Sequence, residues 1–315
     1  MSTTGETAMS TTIAPAPAPA AARTKARADH RGGLGRRGLV EKTWFTLFRG
    51  AAVVNGLALL VICAFLAYNG LPAITWEFLT EVPRNSMTEG GIWPCIVGTA
   101  ILACGAMIVA FPLGVASAIY LNEYATNPRL VRVIRLGINN LAGVPSVVFG
   151  LFGLAFFVTF MGLGVSTLAG VLTLGALVLP IIIRTAEEAL RSVPDTYREA
   201  SLGLGATKWQ TISRVVLPAA LPGMLTGSIL GLSRAAGETA AIMFTAAVFF
   251  TPTMPSSIFS KVMALPYHIY VLATAGTEIE VTRPLQYGTA LVLIALVLGM
   301  NLVAIWLRAR LQKKL

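Results

Sequence analysis

The sequence is poor in charge, cysteine and histidine, and each shortage excludes a class of protein. Charged residues make up 12% of the 315 residues, about half of their share in an average soluble domain. Three cysteines without Cys-x-x-Cys spacing offer neither a disulfide framework nor a metal site. The two histidines, His30 and His268, are far apart, and no paired-carboxylate or Ser/His/Asp set is apparent. We therefore expect no metal and no catalytic residues.

A phosphate-binding loop of the form Gly-x-x-x-x-Gly-Lys-Ser/Thr is also absent from the sequence. ATPases that use this loop wrap its backbone N–H groups around the nucleotide phosphates. The chain therefore lacks this means of binding ATP, and we expect it to hold no cofactor of its own.

Long apolar runs occupy most of the sequence. Hydrophobic residues make up 55% of the chain, and the mean hydropathy is +0.74. A helix needs about 20 mainly apolar residues to cross ~30 Å of hydrocarbon. We predict an all-α polytopic membrane protein with six transmembrane helices, and kinks at Pro112 and Pro145. The predicted spans are residues 51–68, 92–121, 136–162, 165–183, 221–250 and 287–307.

Residues 1–45 differ in composition from everything that follows. They combine the low-complexity segment APAPAPA at 14–20 with several Arg and Lys residues, a composition typical of disordered segments. We predict a disordered, basic cytoplasmic tail over residues 1–45 and a transmembrane domain over residues 46–315.

The positions of Lys and Arg predict the orientation of the chain. Twenty of the 24 flank the predicted spans on the side that holds both termini, and only Arg84, Lys261 and Arg283 lie on the other side. Positive charge accumulates on the cytoplasmic side of membrane proteins, so both termini are predicted to be cytoplasmic. Because the basic residues are scattered along the edges of the bilayer, we expect no nucleic-acid partner.

The fifth predicted span carries small residues every four positions, a pattern that lets a second helix approach closely. These residues are Gly223, Gly227, Gly231 and Ala235. Arg234 and Glu238 lie seven residues after Gly227 and Gly231, so in one continuous helix they share this face and lie close enough to pair. Burying an arginine in a membrane is costly. The two residues are therefore predicted either to serve transport or to form a structural pair that fixes the helix register.

Residues 199–218, EASLGLGATKWQTISRVVLP, form a polar stretch between two apolar runs on the cytoplasmic side. The stretch predicts two short helices joined at glycine. The signals are the capping-box pairs Ser192–Asp195 and Thr207–Gln210, the helix breakers Gly203 and Gly205, and a limit at Pro218.

This stretch resembles the cytoplasmic loop of permease subunits of bacterial ABC importers. That loop reads Glu-Ala-Ala, three residues, Gly, nine residues and Ile-x-Leu-Pro. The matching residues are Glu199, Ala200, Gly205, Leu217 and Pro218, whereas Ser201 and Val215 replace the third Ala and the Ile. The resemblance implies that a coupling loop over about residues 184–220 docks into a cleft of an ATP-hydrolysing subunit, which binds the ATP and magnesium.

Four further stretches resemble permeases of the bacterial phosphate importer, of the PstA type: GIWPCIVGT, YLNEYA, NLAGVPSVVFGLFG and RAAGETAAIMFTA. The resemblance implies the six-helix type I importer fold in the bacterial inner membrane. It also implies a heterodimer with a paralogous permease, two ATP-binding subunits and an extracytoplasmic phosphate-binding protein. It places Arg234 and Arg184 in the phosphate path, although Arg184 also suits a plain membrane-flank anchor. From its position near Arg234, Glu238 is expected to tune how tightly Arg234 holds the anion. The alternatives are a PstC-type subunit, a permease for another solute, and a secondary transporter.

Overall fold

The computed structural model describes residues 20–87, 89–251, 254–275 and 279–312, which are predominantly helical. The α-helices are α1 (Ala20–Gly70), α2 (Trp76–Thr80), α3 (Trp93–Ile119), α4 (Pro128–Ala142), α5 (Ser146–Gly153), α6 (Thr167–Arg191), α7 (Asp195–Gly203), α8 (Lys208–Thr211), α9 (Leu217–Ala236), α10 (Ala240–Met243), α11 (Leu265–Thr274) and α12 (Ile279–Gln312). Short 3-10 helices form at Leu71–Ala73 and Asn85–Met87, and π-helical segments at Tyr120–Tyr124, Leu154–Phe160 and Ile212–Val216.

The chain divides after Cys63 into two units, residues 1–63 and 64–315. In the first unit, the α1 side chains from Glu41 to Cys63 are exposed on every side of the helix, as suits a helix surrounded by lipid. Because α1 begins at Ala20, residues 20–45 of the tail that was predicted to be disordered are helical, which their Ala, Lys and Arg content favours. Residues 1–19 of that tail lie outside the described residues.

Five described helical stretches are long and apolar enough to cross a membrane. They are Glu41–Ala73, Trp93–Tyr124, Thr167–Arg191, Lys208–Ala236 and Thr282–Arg310. The pair α4 and α5, bent by 100°, makes a sixth if counted as one broken span. Pro145 is extended at this bend and lacks the N–H that would continue a helix. The predicted all-α membrane fold with six spans is thus confirmed, including the kink at Pro145.

The fifth span differs from its prediction at both ends. Helix continues from Lys208 through a π-helical turn into α9 and stops at Ala236, whereas residues 221–250 were predicted. Pro218 does not limit the preceding helix, because it lies in the first turn of α9, after the π turn, where proline is tolerated. Beyond Gly237 the chain turns into the short helix α10.

The centre of the second unit is α6, which packs against both α3 and α9. The small-residue stripe of α9 faces α6, and side chains of α6 occupy the space that a Cβ atom would need at each glycine. This confirms the predicted close approach of a second helix. The contacts are Gly223 with Ala189, Gly227 with Thr185 and Gly231 with Ile182.

The N-terminal end of α6 is hydrogen-bonded to the segment that follows α10. The backbone N–H groups of Ser166, Thr167 and Leu168 donate to the carbonyl oxygens of Thr245, Ser260 and Ile258, at 3.0, 2.8 and 2.8 Å. The first N–H groups of a helix have no partner within it. Thr245, Ile258 and Ser260 supply those partners and thereby bind to this end of α6.

Candidate functional site

The polar loop folds as two helices, α7 and α8, around a tight turn. Gly205 at the turn has φ of +81°, and its N–H donates to the Leu202 carbonyl oxygen at 2.9 Å. The predicted helix–glycine–helix unit is therefore present. The predicted capping box of Ser192 with Asp195 is wrong, because the Ser192 hydroxyl donates to the Ala189 carbonyl oxygen at 2.8 Å, at the end of α6.

The second capping box is present as predicted. The Thr207 N–H donates to Oε1 of Gln210 at 2.8 Å, and the Gln210 N–H donates to Oγ1 of Thr207 at 3.3 Å. The hydroxyls of Ser201 and Thr211 lie 2.9 Å apart and join α7 to α8. Local side-chain bonds thus define both the start of α8 and its contact with α7.

Four large apolar residues of this loop are exposed, and Leu204 at the tip has 90% of its surface exposed. We call this surface the docking face: Tyr197, Leu202, Leu204 and Trp209. Contiguous exposed apolar residues rimmed by polar ones mark interaction sites. The sequence pattern did not single these four out, although the position of Leu202, Leu204 and Trp209 between the matched residues was a usable signal.

The five matched loop residues divide between an exposed and an anchored part. Glu199, Ala200 and Gly205 are exposed on α7 and the turn. Leu217 and Pro218 are half-buried in the first turn of α9, where Leu217 packs against the cluster that joins the ends of α6 and α9. The loop therefore presents a surface while its second half continues into the candidate membrane span Lys208–Ala236.

Arg184 lies beside a small charged pocket of about 160 Å³ between α4 and α6. The pocket is lined by Arg135, Ile138, Asn139, Arg184, Glu187, Glu188 and Arg191. Nε and Nη2 of Arg135 lie 3.1 and 3.0 Å from Oε1 of Glu187, and Arg191 lies 3.9 Å from the same oxygen. Arg184 is exposed and forms no ion pair with the described residues. With three arginines against two glutamates, the pocket carries a net positive charge.

The contribution of α4 to this pocket was missed from the sequence. From the sequence, Arg129, Arg132 and Arg135 were used only to predict the orientation of the chain in the membrane. Their spacing of three nevertheless places them along one side of a helix. Arg132 and Arg135 also line an open cavity of about 640 Å³ next to it.

Arg234 lies exposed in the last turn of α9, and Glu238 lies beyond the helix end. The predicted common helix face for these residues is wrong, because Gly237 ends α9 before Glu238. Oε1 of Glu238 instead accepts from the Ala240 N–H at 3.2 Å. In the described part of the chain, no ion pair joins Arg234 to Glu238.

The packing of α9 on α6 determines how far apart Arg184 and Arg234 lie along the helices. Since Gly231 meets Ile182 and the helices run antiparallel, Arg184 and Arg234 are separated by roughly 8 Å along the helix direction. The last turn of α9 belongs to the same buried cluster as Val144 and Phe149, on either side of the start of α5. Ala235 and Ala236, which follow Arg234, are buried in that cluster, whereas Arg234 itself is exposed.

The geometry can be set against known proteins. A family model described as "Binding-protein-dependent transport system inner membrane component" matches residues 110–315. The chain belongs to this family. Among its relatives, this permease is 33% identical over 290 residues to "Probable ABC transporter permease protein YqgI" of Bacillus subtilis, covering 89% of this chain and 98% of the relative. It is 40% identical over 278 residues to "Phosphate transport system permease protein PstA 1" of Mycobacterium tuberculosis H37Rv, covering 87% and 89%.

Solved structures agree with the fold. The inward-facing MetNI methionine ABC transporter matches with a TM-score of 0.55 at 21% identity, covering 70% of this chain and 94% of that one. A bacterial ABC transporter that imports the polysaccharide alginate matches with a TM-score of 0.53 at 16% identity, covering 85% and 99%. The importer-permease fold inferred from the loop pattern is thus confirmed.

Proposed function

We propose that this permease is the membrane-spanning subunit of an ATP-driven importer of inorganic phosphate. The observation that carries the proposal is an identity of 40%, 39% and 35% to three phosphate transport system permease proteins, over 87%, 82% and 85% of the chain. The matches extend over most of the spans, where a transported solute would be contacted, and not over the polar loop alone.

In this proposal the permease forms half of the translocation path and a paralogous phosphate permease forms the other half. A pair of ATP-binding subunits, which hold ATP and magnesium, contacts the docking face. A phosphate-binding protein delivers the solute from outside the bacterial inner membrane. The exposed Leu204 and Trp209 support this arrangement, because large apolar side chains beside charged ones suit a protein cleft.

Both termini are proposed to be cytoplasmic. In support, the basic loop meets the ends of α3 and α6 at one end of the bundle, while Lys261 lies in the segment that caps the other end of α6. Reporter fusions test the orientation. A cytoplasmic reporter should be active after Arg310 and a periplasmic one near Pro255, and the reverse pattern at either position rejects it.

Arg234 and Arg184 are proposed to contact phosphate on its way, with Glu238 preventing overly tight binding. A guanidinium offers planar paired donors that match phosphate oxygens. The start of α5, whose first turn has no side-chain cap, adds backbone N–H groups of the kind that face anions in broken transporter helices.

Purification with the neighbouring subunits tests the function. The permease should co-elute with an ATPase and a second permease, and phosphate with its binding protein should stimulate ATP hydrolysis. Sulfate and molybdate serve as matched anions. Stimulation by either of them but not by phosphate would contradict the proposed substrate, and an absence of any ATPase partner would contradict the importer class.

A further inference from the structure

We propose that Arg198 is the positioning residue that transmits movement of the docking face to α3 and α6. The inference rests on the proposed coupling role of the loop, and it adds the residue through which the loop grips the membrane helices. Arg198 lies in α7 between Tyr197 and Glu199, which are both exposed. Its own side chain is only 18% exposed, so it points away from the docking face.

The guanidinium of Arg198 forms four bonds to three different parts of the chain. Nη1 donates to the Val193 carbonyl oxygen at 2.8 Å and to Oδ1 of Asp195 at 3.1 Å. Nη2 donates to the Leu190 carbonyl oxygen at 2.9 Å and to Oε1 of Glu123 at 3.0 Å. One side chain of α7 therefore joins the end of α6 and the segment that follows α3.

Two of these bonds reach carbonyl oxygens at the C-terminal end of α6, that of Leu190 in its last turn and that of Val193 two residues beyond the helix. The last carbonyl oxygens of a helix lack N–H partners and carry the negative end of its dipole. The Leu190 oxygen also accepts from the Val193 N–H at 3.4 Å, so Arg198 adds a charged donor at this negative end of the helix. A lysine could supply the charge but not two donor pairs in a fixed plane.

The bond to Glu123 is the one that reaches α3. The Glu123 side chain is only 9% exposed, and it also accepts from Nδ2 of Asn122 at 2.9 Å. Glu123 lies in the π-helical turn Tyr120–Tyr124, and such turns are frequent at functional sites. Removing Arg198 would leave this largely buried carboxylate without its cation.

A second contact from the other helix of the loop reaches the same turn. Nζ of Lys208, at the start of α8, lies 5.0 Å from the centre of the Tyr124 ring. Both helices of the loop thus hold adjacent residues of one turn after α3. A displacement of the docking face by an ATPase would consequently move the ends of α3 and α6 together with the loop.

The test compares phosphate transported per ATP hydrolysed in purified, reconstituted complexes. Arg198→Gln should assemble with the ATPase and hydrolyse ATP, while this ratio falls about tenfold. Arg198→Lys should lower it by a smaller factor. Arg129→Gln is the matched control, because Arg129 is exposed and forms no ion pair with the described residues; its ratio should equal that of the wild type.

Two outcomes would overturn the proposal. An unchanged ratio in assembled Arg198→Gln or Arg198→Lys would show that coupling does not pass through this residue. Loss of assembly in both variants would assign Arg198 a purely structural role. If the wild-type complex imports another anion instead, the phosphate proposal fails, and the ratio for that anion still decides the role of Arg198.

Discussion

At Gly205, the energetic cost of a left-handed backbone can be measured separately from the cost of a steric clash. Its φ of +81° lies in the left-handed region, yet a Cβ atom added there would meet no atom within 4 Å. Gly203, two residues earlier, also has open space around an added Cβ atom, and it ends α7 without a left-handed φ. The two glycines therefore form a matched pair that differs in backbone conformation.

The expected cost follows from that difference. The left-handed conformation costs a residue with a side chain about 1–2 kcal/mol, and every 1.4 kcal/mol is about a tenfold change in population. Gly205→Ala should thus favour non-native loop conformations by roughly 5- to 30-fold, and Gly205→Val should do so more strongly. Gly205→Asn should cost less, because asparagine tolerates this region. Gly203→Ala in the helix should be neutral or stabilising.

Phosphate uptake and stimulated ATP hydrolysis, each per assembled complex, measure the consequence. We expect uptake to be reduced least in Gly205→Asn, more in Gly205→Ala and most in Gly205→Val. Proteolysis of the loop should become faster in the same order. Gly205→Asp should keep the turn, as Gly205→Asn does. Any loss of transport in Gly205→Asp beyond that in Gly205→Asn therefore measures the effect of a negative charge near the docking face. If Gly205→Ala behaves as Gly203→Ala does, the backbone argument is refuted.

Three further predictions concern packing, pH and the proposed path. Gly227→Leu should collide with Thr185 on α6 and cost about 1–3 kcal/mol, which a lower Tm of the purified complex would reveal and an unchanged Tm would contradict. In α11, which is not among the spanning helices, burial lowers the pKa of His268 to about 4, and its Nδ1 has no hydrogen-bond partner within the described chain. Because the unfolded pKa is about 6.5, stability should be full above that pH and decline by up to about 3 kcal/mol as pH falls toward 4. Thermal melts of His268→Gln should lack this slope, and a slope equal to that of the wild type would count against the assignment. In assembled complexes, Arg234→Gln should abolish uptake and Arg234→Lys should reduce it. Glu238→Gln should slow turnover. Uptake at the wild-type rate by Arg234→Gln would exclude a contact role for this residue.

The parts of the molecule that were predictable from sequence are those built by local interactions. The capping box of Thr207 with Gln210 and the turn at Gly205 act within four residues, so their pattern is visible in the chain itself. The glycine stripe of α9 was predictable because its period matches one helical face. It could not reveal that α6 is the partner, which depends on the tertiary fold.

The errors have a common physical origin. Residues 237–250 are apolar enough to continue a membrane span, and composition does not distinguish a lipid-crossing helix from an apolar segment packed inside the protein. Ala241 and Ile242 are buried in the central cluster. The placement of Glu238 on the Arg234 face failed for the same reason. The pair of Arg198 with Glu123 joins residues 75 positions apart, and no local pattern announces such a contact.

Phosphate import into proteoliposomes tests the central claim most directly. The reconstituted complex would contain the permease, its proposed paralogue and the ATPase, with ATP and magnesium inside the vesicles and the phosphate-binding protein on the external face. We expect labelled phosphate to accumulate inside only when ATP and the binding protein are both present, and sulfate not to accumulate. Accumulation without ATP, or of sulfate in place of phosphate, would contradict the proposal that this permease serves an ATP-driven phosphate importer.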